Sequence, residues 1–158
     1  MNIALLGVGK MGQVIKGIAE QRGHKIILKT TSKDKDFSLS NVDIAIDFSV
    51  PDAAVGNITR CLNNNIPVIS GTTGWLDSYD TIVELCNQKK GTFLYASNFS
   101  VGVNIFFELN KTLAKLMEKL PEYKVSIEEI HHTQKLDAPS GTAITLANDI
   151  IKNSAFQN

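Results

Sequence analysis

The chain has 158 residues, 43% of them hydrophobic and 20% charged, with sixteen basic side chains balanced by sixteen acidic ones. That length suits one compact domain, or one domain and part of another, and the composition excludes disordered and collagen-like classes. The even charge gives no reason to expect nucleic acid or an anionic membrane as partner, and no apolar run approaches the roughly 18–20 residues of a membrane span. The opening MNIALLGVGKMG has no basic leader, and its apolar run is too short for a signal peptide. Cys61 and Cys86 fall inside expected helices and read as buried fillers rather than a metal pair, a disulfide or a catalytic thiol. A reduced, cytoplasmic setting without a metal site is the expectation.

Asn2-Ile3-Ala4-Leu5-Leu6 is a continuous apolar run, the pattern of a strand buried on both faces. It leads into Gly7-Val8-Gly9-Lys10-Met11-Gly12, then into a helical spacing through Val14, Ile15, Ile18 and Ala19 that Gly23 stops. Strand, GxGxxG and helix in this order predict a dinucleotide site. Gly7 permits the tight turn, Gly9 a close approach to pyrophosphate, and Gly12 close helix–strand contact. An unliganded tight turn is the plainer alternative.

Residues 24–30 predict a second strand. The carboxylate that commonly ends this strand in NAD-specific proteins is missing, and the first acid is Asp34. Lys29, Lys33, Lys35 and the neighbouring hydroxyls favour a 2′-phosphate, hence NADPH or tolerance of both cofactors, and equally fit a solvated loop. Residues 43–47 predict a third strand. A helix opened by Pro51 follows, with Ser49 or Asp52 serving its end and Asn63-Asn64-Asn65 breaking it. Residues 66–70 predict a fourth strand. Gly71-Thr72-Thr73-Gly74 then lies at the strand end where open parallel sheets hold ligands, fit to pass close to a nicotinamide or to form an ordinary turn.

An amphipathic helix is expected over 75–90 and a fifth strand over 92–96, with Ser97-Asn98-Phe99-Ser100 at its carboxyl end. A last helix over 103–120 is expected to run through Ile105, Phe106, Leu109, Leu113 and Met117, with its Phe and Met residues in the core rather than on a cofactor. The order β-α-β-β-α-β-α-β-α with short connections predicts an α/β fold, a Rossmann-type doubly wound parallel sheet with an irregular crossover over 31–42. Residues 123–131 alternate instead, as in a half-buried strand of a second sheet. The boundary is therefore expected near 121–123. Residues 1–121 form the NAD(P)-binding domain, and 122–158 begin a second, α+β domain for substrate and oligomerisation.

The stretch His131-His132-Thr133-Gln134-Lys135-Leu136-Asp137-Ala138-Pro139-Ser140-Gly141-Thr142-Ala143 concentrates the chemistry. It offers a group that titrates near neutrality, a fixed cation, and a helix start whose free N–H groups suit an anion. That set fits a proton-assisted reaction on a carboxylate. A strand ending in a solvated turn is the alternative.

GVGKMG at 7–12, DFS at 47–49, GTTGW at 71–75, SNFSVGVN at 97–104 and EIHHTQKLDAPSGTA at 129–143, in that order, resemble the dihydrodipicolinate reductase family. The resemblance implies that Gly7, Val8, Gly9, Lys10, Met11 and Gly12 hold the pyrophosphate of NADPH or NADH. Gly71, Thr72, Thr73, Ala96, Ser97, Asn98 and Phe99 would line the nicotinamide side. His131 would be the acid/base residue, Lys135 the catalytic lysine and His132 a substrate contact. Ser140, Gly141 and Thr142 would hold a carboxylate of a small dicarboxylate substrate. The implied activity is reduction of (hydroxy-tetra)dihydrodipicolinate to tetrahydrodipicolinate in diaminopimelate and lysine biosynthesis, by hydride to ring C4 and protonation by His131 or Lys135.

Family members form homotetramers and continue for several dozen residues past this chain's end, completing the second sheet. The resemblance thus implies a truncated second domain. The competing reading is a nucleotide-binding fragment or module without turnover. An aspartate-semialdehyde dehydrogenase type would need a cysteine at a loop or helix start, and a homoserine dehydrogenase type leaves HHTQKLDAPSGTA unexplained.

Overall fold

The five short apolar runs become five parallel strands: β1 (Asn2–Leu6), β2 (Lys25–Thr30), β3 (Ile44–Asp47), β4 (Val68–Ser70) and β5 (Phe93–Tyr95). The computed structural model describes residues 1–34, 36–131, 133 and 138–154. Strand order is β2-β1-β3-β4-β5. Parallel sheets are covered on both faces, so their inner strands read as unbroken apolar runs. Accordingly Ile3, Ala4, Leu5 and Leu6 are each at most 3% exposed.

Helices make three of the four crossovers, α1 (Lys10–Gln21), α2 (Pro51–Asn63) and α3 (Tyr79–Lys89), while the connection from β2 to β3 has no helix among its described residues. One face of the sheet packs Ala4, Leu6 and Ala45 against Ile58, Leu62 and Ile82, and the other packs Ile3 and Leu5 against Ala19. From β1 the chain steps outward to β2, then returns to place β3 on the opposite side of β1. The strand order reverses there. In open α/β sheets that reversal leaves a crevice at the carboxyl ends of the strands.

Two local expectations are corrected. Neither Ser49 nor Asp52 caps α2: its N-cap is Val50, without a side-chain cap bond, because the Ser49 hydroxyl donates to Asp47 Oδ1 at 2.7 Å. The expected helix over 75–90 is a 3₁₀ turn, Leu76–Ser78, followed by α3. Trp75 is held out of that helix because its Nε1–H donates to Thr72 O at 2.7 Å, and its ring packs among Tyr79, Phe93 and Tyr95.

The chain divides into two compact units, Met1–Ala96 and Ser97–Asn158, rather than near 121–123. The helix expected to close the first unit, α4 (Val101–Met117), packs instead with α5 (Gly141–Asn153) in the second. α4 has one polar stripe, Asn104, Glu108, Lys111, Thr112 and Lys115, and an apolar arc wider than its buried side, so periodicity could not identify which part of that arc is buried. Phe107 and Ala114 are buried, whereas Phe106, expected in the core, is exposed, as are Ile105, Leu109 and Leu113.

The strand expected over 123–131 is also absent. That stretch finds no ladder partner among the described residues, and Ile130 is 86% exposed. Alternation marks a chain fit to be a strand, but a strand needs a neighbour to hydrogen-bond with. Among the described residues, no helix is long and apolar enough to cross a membrane.

Candidate functional site

The carboxyl end of β1 turns sharply at Gly7, which has φ +99° and donates its N–H to Thr30 O at 3.0 Å. A Cβ there would sit 2.2 Å from Phe48 O, and one on Gly12 would sit 2.2 Å from Gly7 O. The fold itself requires both glycines. Gly9 differs: a Cβ on it would meet nothing within 4 Å. The protein leaves open space where a ligand backbone would come close.

Gly9 is also the N-cap of α1, with no side-chain cap and no acidic residue in the first turn. The N–H groups of Met11 and Gly12 therefore have no intrahelical acceptor, while Gln13 N–H takes Gly9 O at 3.0 Å. Beside them lies a cleft of about 300 Å3 lined by residues 7–9, Thr31, Ser32 and 48–50. A second cavity of about 590 Å3 shares Thr31, Ser32 and Val50 and runs on to Asn57 and Arg60. An uncapped helix start, a bare glycine and a crevice at the point of strand reversal fit a dinucleotide.

One wall of this cleft is held by a group the sequence reading did not single out. Asp47, fully buried, gathers four side-chain donors. Ser49 Oγ (2.7 Å) and Asn57 Nδ2 (2.9 Å) reach Oδ1, while Thr72 Oγ1 (2.7 Å) and Ser70 Oγ (2.9 Å) reach Oδ2. Thr72 Oγ1 also accepts the Ser49 N–H at 2.8 Å. DFS and GTTGW are thus two halves of one hydrogen-bonded unit across β3 and β4. Thr72, expected at the nicotinamide, is buried in the wall, whereas Gly71 and Thr73 beside it are partly exposed.

At the end of β2, the Asp34 carboxylate accepts the Thr31 N–H (2.7 Å) and hydroxyl (2.8 Å), which hold its pKa below the usual range. Ala96 closes the first unit, its N–H on Ser70 O at 3.3 Å. In the second unit, Ser97 and Asn98 are half-buried and Phe99 is exposed. Asn98 Oδ1 accepts the Ser100 N–H at 2.8 Å, shaping the turn into α4.

Also in the second unit, Ser140 is the N-cap of α5, its hydroxyl accepting the Ala143 N–H at 3.1 Å. Ile144 N–H takes Ser140 O at 2.9 Å. This leaves the Gly141 and Thr142 N–H groups without a partner among the described residues. Glu129 reaches the same point: Oε1 accepts the Ser140 N–H at 2.9 Å, and Oε2 accepts its hydroxyl at 2.5 Å. Oε2 also lies 2.9 Å from His131 Nε2. The Ser140 hydroxyl first, then His131 and the Ser140 amide, pull the Glu129 pKa down to about 2.

Sequence reading singled out His131 and Ser140 but not Glu129, which the structure places against both. The available signal was its position two residues before His131 in an extended segment, where side chains i and i+2 share a side. His132 and Lys135 lie outside the described residues. Among the described residues, no group of three or more His, Cys, Asp or Glu side chains is placed to hold a metal ion.

The whole chain superposes on 68% of the dipicolinate-bound dihydrodipicolinate reductase from Paenisporosarcina sp. TG-14, with TM-score 0.71 and 25% identity. The 4-hydroxy-tetrahydrodipicolinate reductase of Christiangramia forsetii is 56% identical over 157 residues, covering 98% of this chain and 66% of that protein. That of Neisseria gonorrhoeae is 36% identical over 131 residues, covering 81% of this chain and 48% of that protein. The chain thus spans between about half and two thirds of the length of these relatives. The family model described as dihydrodipicolinate reductase, N-terminus, matches residues 1–99, and the C-terminus model matches residues 102–157. By both models and by these relatives, the chain belongs to the dihydrodipicolinate reductase family.

Proposed function

We propose that this chain carries the NAD(P)H-dependent reduction of 4-hydroxy-tetrahydrodipicolinate to tetrahydrodipicolinate, water leaving from the hydroxylated ring. The observation that carries the reading is the bare Gly9 at the uncapped start of α1, beside the cleft at the strand reversal. The N–H groups of Lys10, Met11 and Gly12 would hold the pyrophosphate, with Gly7 and Val8 forming the turn before them. Gly71, Thr72, Thr73, Ala96, Ser97, Asn98 and Phe99 are assigned to the nicotinamide side. When bound, the reduced nicotinamide supplies the hydride to ring C4.

The protein's own residues manage the charge and the proton. Gly141 and Thr142 N–H groups receive one substrate carboxylate, with Ser140 shaping the turn and His132 as a further contact. His131 or Lys135 gives the proton to the enamine carbon left by hydride addition. Dipicolinate in the Paenisporosarcina relative supports a dicarboxylate as ligand. Asp34 is already occupied by Thr31 rather than dedicated to a ribose hydroxyl, which supports use of both NADPH and NADH. The family's homotetramer belongs to the same proposal and is tested by sedimentation.

The test is oxidation of NADPH and of NADH, followed at the nicotinamide absorbance, with substrate generated by the preceding synthase. His131→Gln and Lys135→Ala should each lower kcat by about 10²- to 10⁴-fold, the usual worth of a positioned proton donor or fixed charge. Near-wild-type turnover by Lys135→Ala at saturating substrate would refute its role. Cofactor binding without oxidation by the wild-type chain would make it a dinucleotide-binding module.

A further inference from the structure

We propose that Glu129 is a positioning residue that fixes His131 with its proton on Nε2, so that Nδ1 is the atom that takes and gives the proton. An ionised carboxylate only accepts hydrogen bonds. Three groups converge on this one: the Ser140 N–H at 2.9 Å, the Ser140 hydroxyl at 2.5 Å and His131 Nε2 at 2.9 Å. The nitrogen facing it must therefore carry hydrogen. The pKa of about 2 keeps Glu129 an acceptor throughout the range in which an imidazole titrates.

A lone surface pair would fix nothing, because both side chains would wander. Here the carboxylate is anchored: Oε1 accepts the Ser140 amide, and Oε2, which faces His131, also accepts the Ser140 hydroxyl. Ser140 is 4% exposed, caps α5 through the Ala143 N–H, and offers Glu129 both its amide and its hydroxyl. The carboxylate is thus tied to the start of a helix, and the imidazole is tied to the carboxylate. Catalytic triads use the same logic, a buried acid choosing the tautomer of the histidine that moves the proton. One acid also joins the proposed proton donor to the helix start assigned to the substrate carboxylate, so one set of contacts holds the two at a fixed spacing.

The inference rests on the reading of His131 as the acid/base residue, and it is tested separately from it. Protein labelled with ¹⁵N-histidine is examined by long-range ¹H–¹⁵N correlation, the His131 signals being those lost in His131→Gln. The expected result is a proton-bearing Nε2 whose ring N–H is protected from solvent exchange, beside an Nδ1 without a proton in the neutral ring. Glu129→Ala should lose that protection and average the two nitrogens, with the His24 signals and helix content unchanged. In turnover, Glu129→Ala should lower kcat at least about 10-fold while the cofactor KM stays within about 2-fold. A proton resting on Nδ1 in the wild-type ring, or ring signals that Glu129→Ala leaves in place, would overturn the proposal. If the ring behaves as expected but His131→Gln keeps its turnover, the acid/base reading falls and the geometry stands.

Discussion

Replacing Asp47 tests whether its network holds the cleft wall. In Asp47→Ala, the Ser70 and Thr72 hydroxyls, in residues 0% and 5% exposed, lose their acceptor where water cannot replace it. Leaving a buried donor unmet costs about 1–3 kcal/mol, so these two contribute about 2–6 kcal/mol. Ser49 and Asn57 are half-buried and only 3.3 Å apart, so they close on each other and add less. Removing the carboxylate also ends the cost of burying it, which trims the upper end.

The expected loss for Asp47→Ala is about 3–5 kcal/mol, a large part of the roughly 5–15 kcal/mol that holds a domain of ordinary stability. Asp47→Asn keeps the volume and one acceptor and should lose about 1–2 kcal/mol. Urea unfolding followed by circular dichroism measures both, and titration with NADPH should show weaker binding in the same order. A loss under about 1 kcal/mol for Asp47→Ala, or equal losses for the two variants, would refute the accounting by donors.

Three other outcomes follow from the same structure. Gly9→Ala should fold as stably as the wild type yet bind cofactor at least about 10-fold more weakly, whereas Gly7→Ala, at φ +99° and against Phe48 O, should lose stability as well; equal behaviour of the two, by thermal melt and cofactor titration, would contradict the distinction. Glu129 has a folded pKa of about 2 against an ordinary 4.5, so its hold on Ser140 and His131 is present above the ordinary value and lost as pH falls between the two; signals from the first turn of α5 that do not move across that window would count against it. Cys61 is pushed up to about 12 by burial first and the Asp47 charge second, against the opposing Arg60, so a thiol reagent at neutral pH should reach it only as fast as the protein unfolds, and rapid native labelling would disprove that protection.

The contrast between Gly9 and Asp47 shows which parts of the site a one-dimensional reading can reach. Gly9, Lys10 and Met11 lie in a turn whose geometry is local, and GxGxxG after an apolar run announces it. β1 and β3 were legible because burial on both faces needs only an apolar run, and β2, the edge strand with alternate residues exposed, because Ile26, Ile27 and Leu28 form such a run as well. Strand order was not local, and with it went the meeting of Asp47 with Ser70 and Thr72, residues 23 and 25 positions away. Only after β3 and β4 are paired, Asp47 opposite Ser70, do DFS and GTTGW become one object. α4 failed for the opposite reason: its apolar arc is wider than the side it buries, so its period pointed to a broad face, and only packing with α5 selected Phe107 and Ala114.

Glu129 lies between these cases. Its bond to His131 spans two residues, within reach of strand periodicity, but its bonds to Ser140 span eleven and needed the fold. The two acids that sequence reading did not single out, Asp47 and Glu129, share one physical property. Each spends its oxygens on donors of its own protein, Asp47 in full burial and Glu129 with its side chain 26% exposed. A carboxylate used in this way orders loops that a ligand must find already in place, since donors fixed before binding spare the complex the cost of ordering them. In this chain the residues expected to touch cofactor and substrate are mostly glycines and backbone amides. The precision of such contacts comes from elsewhere, and Asp47 and Glu129 are where the structure supplies it.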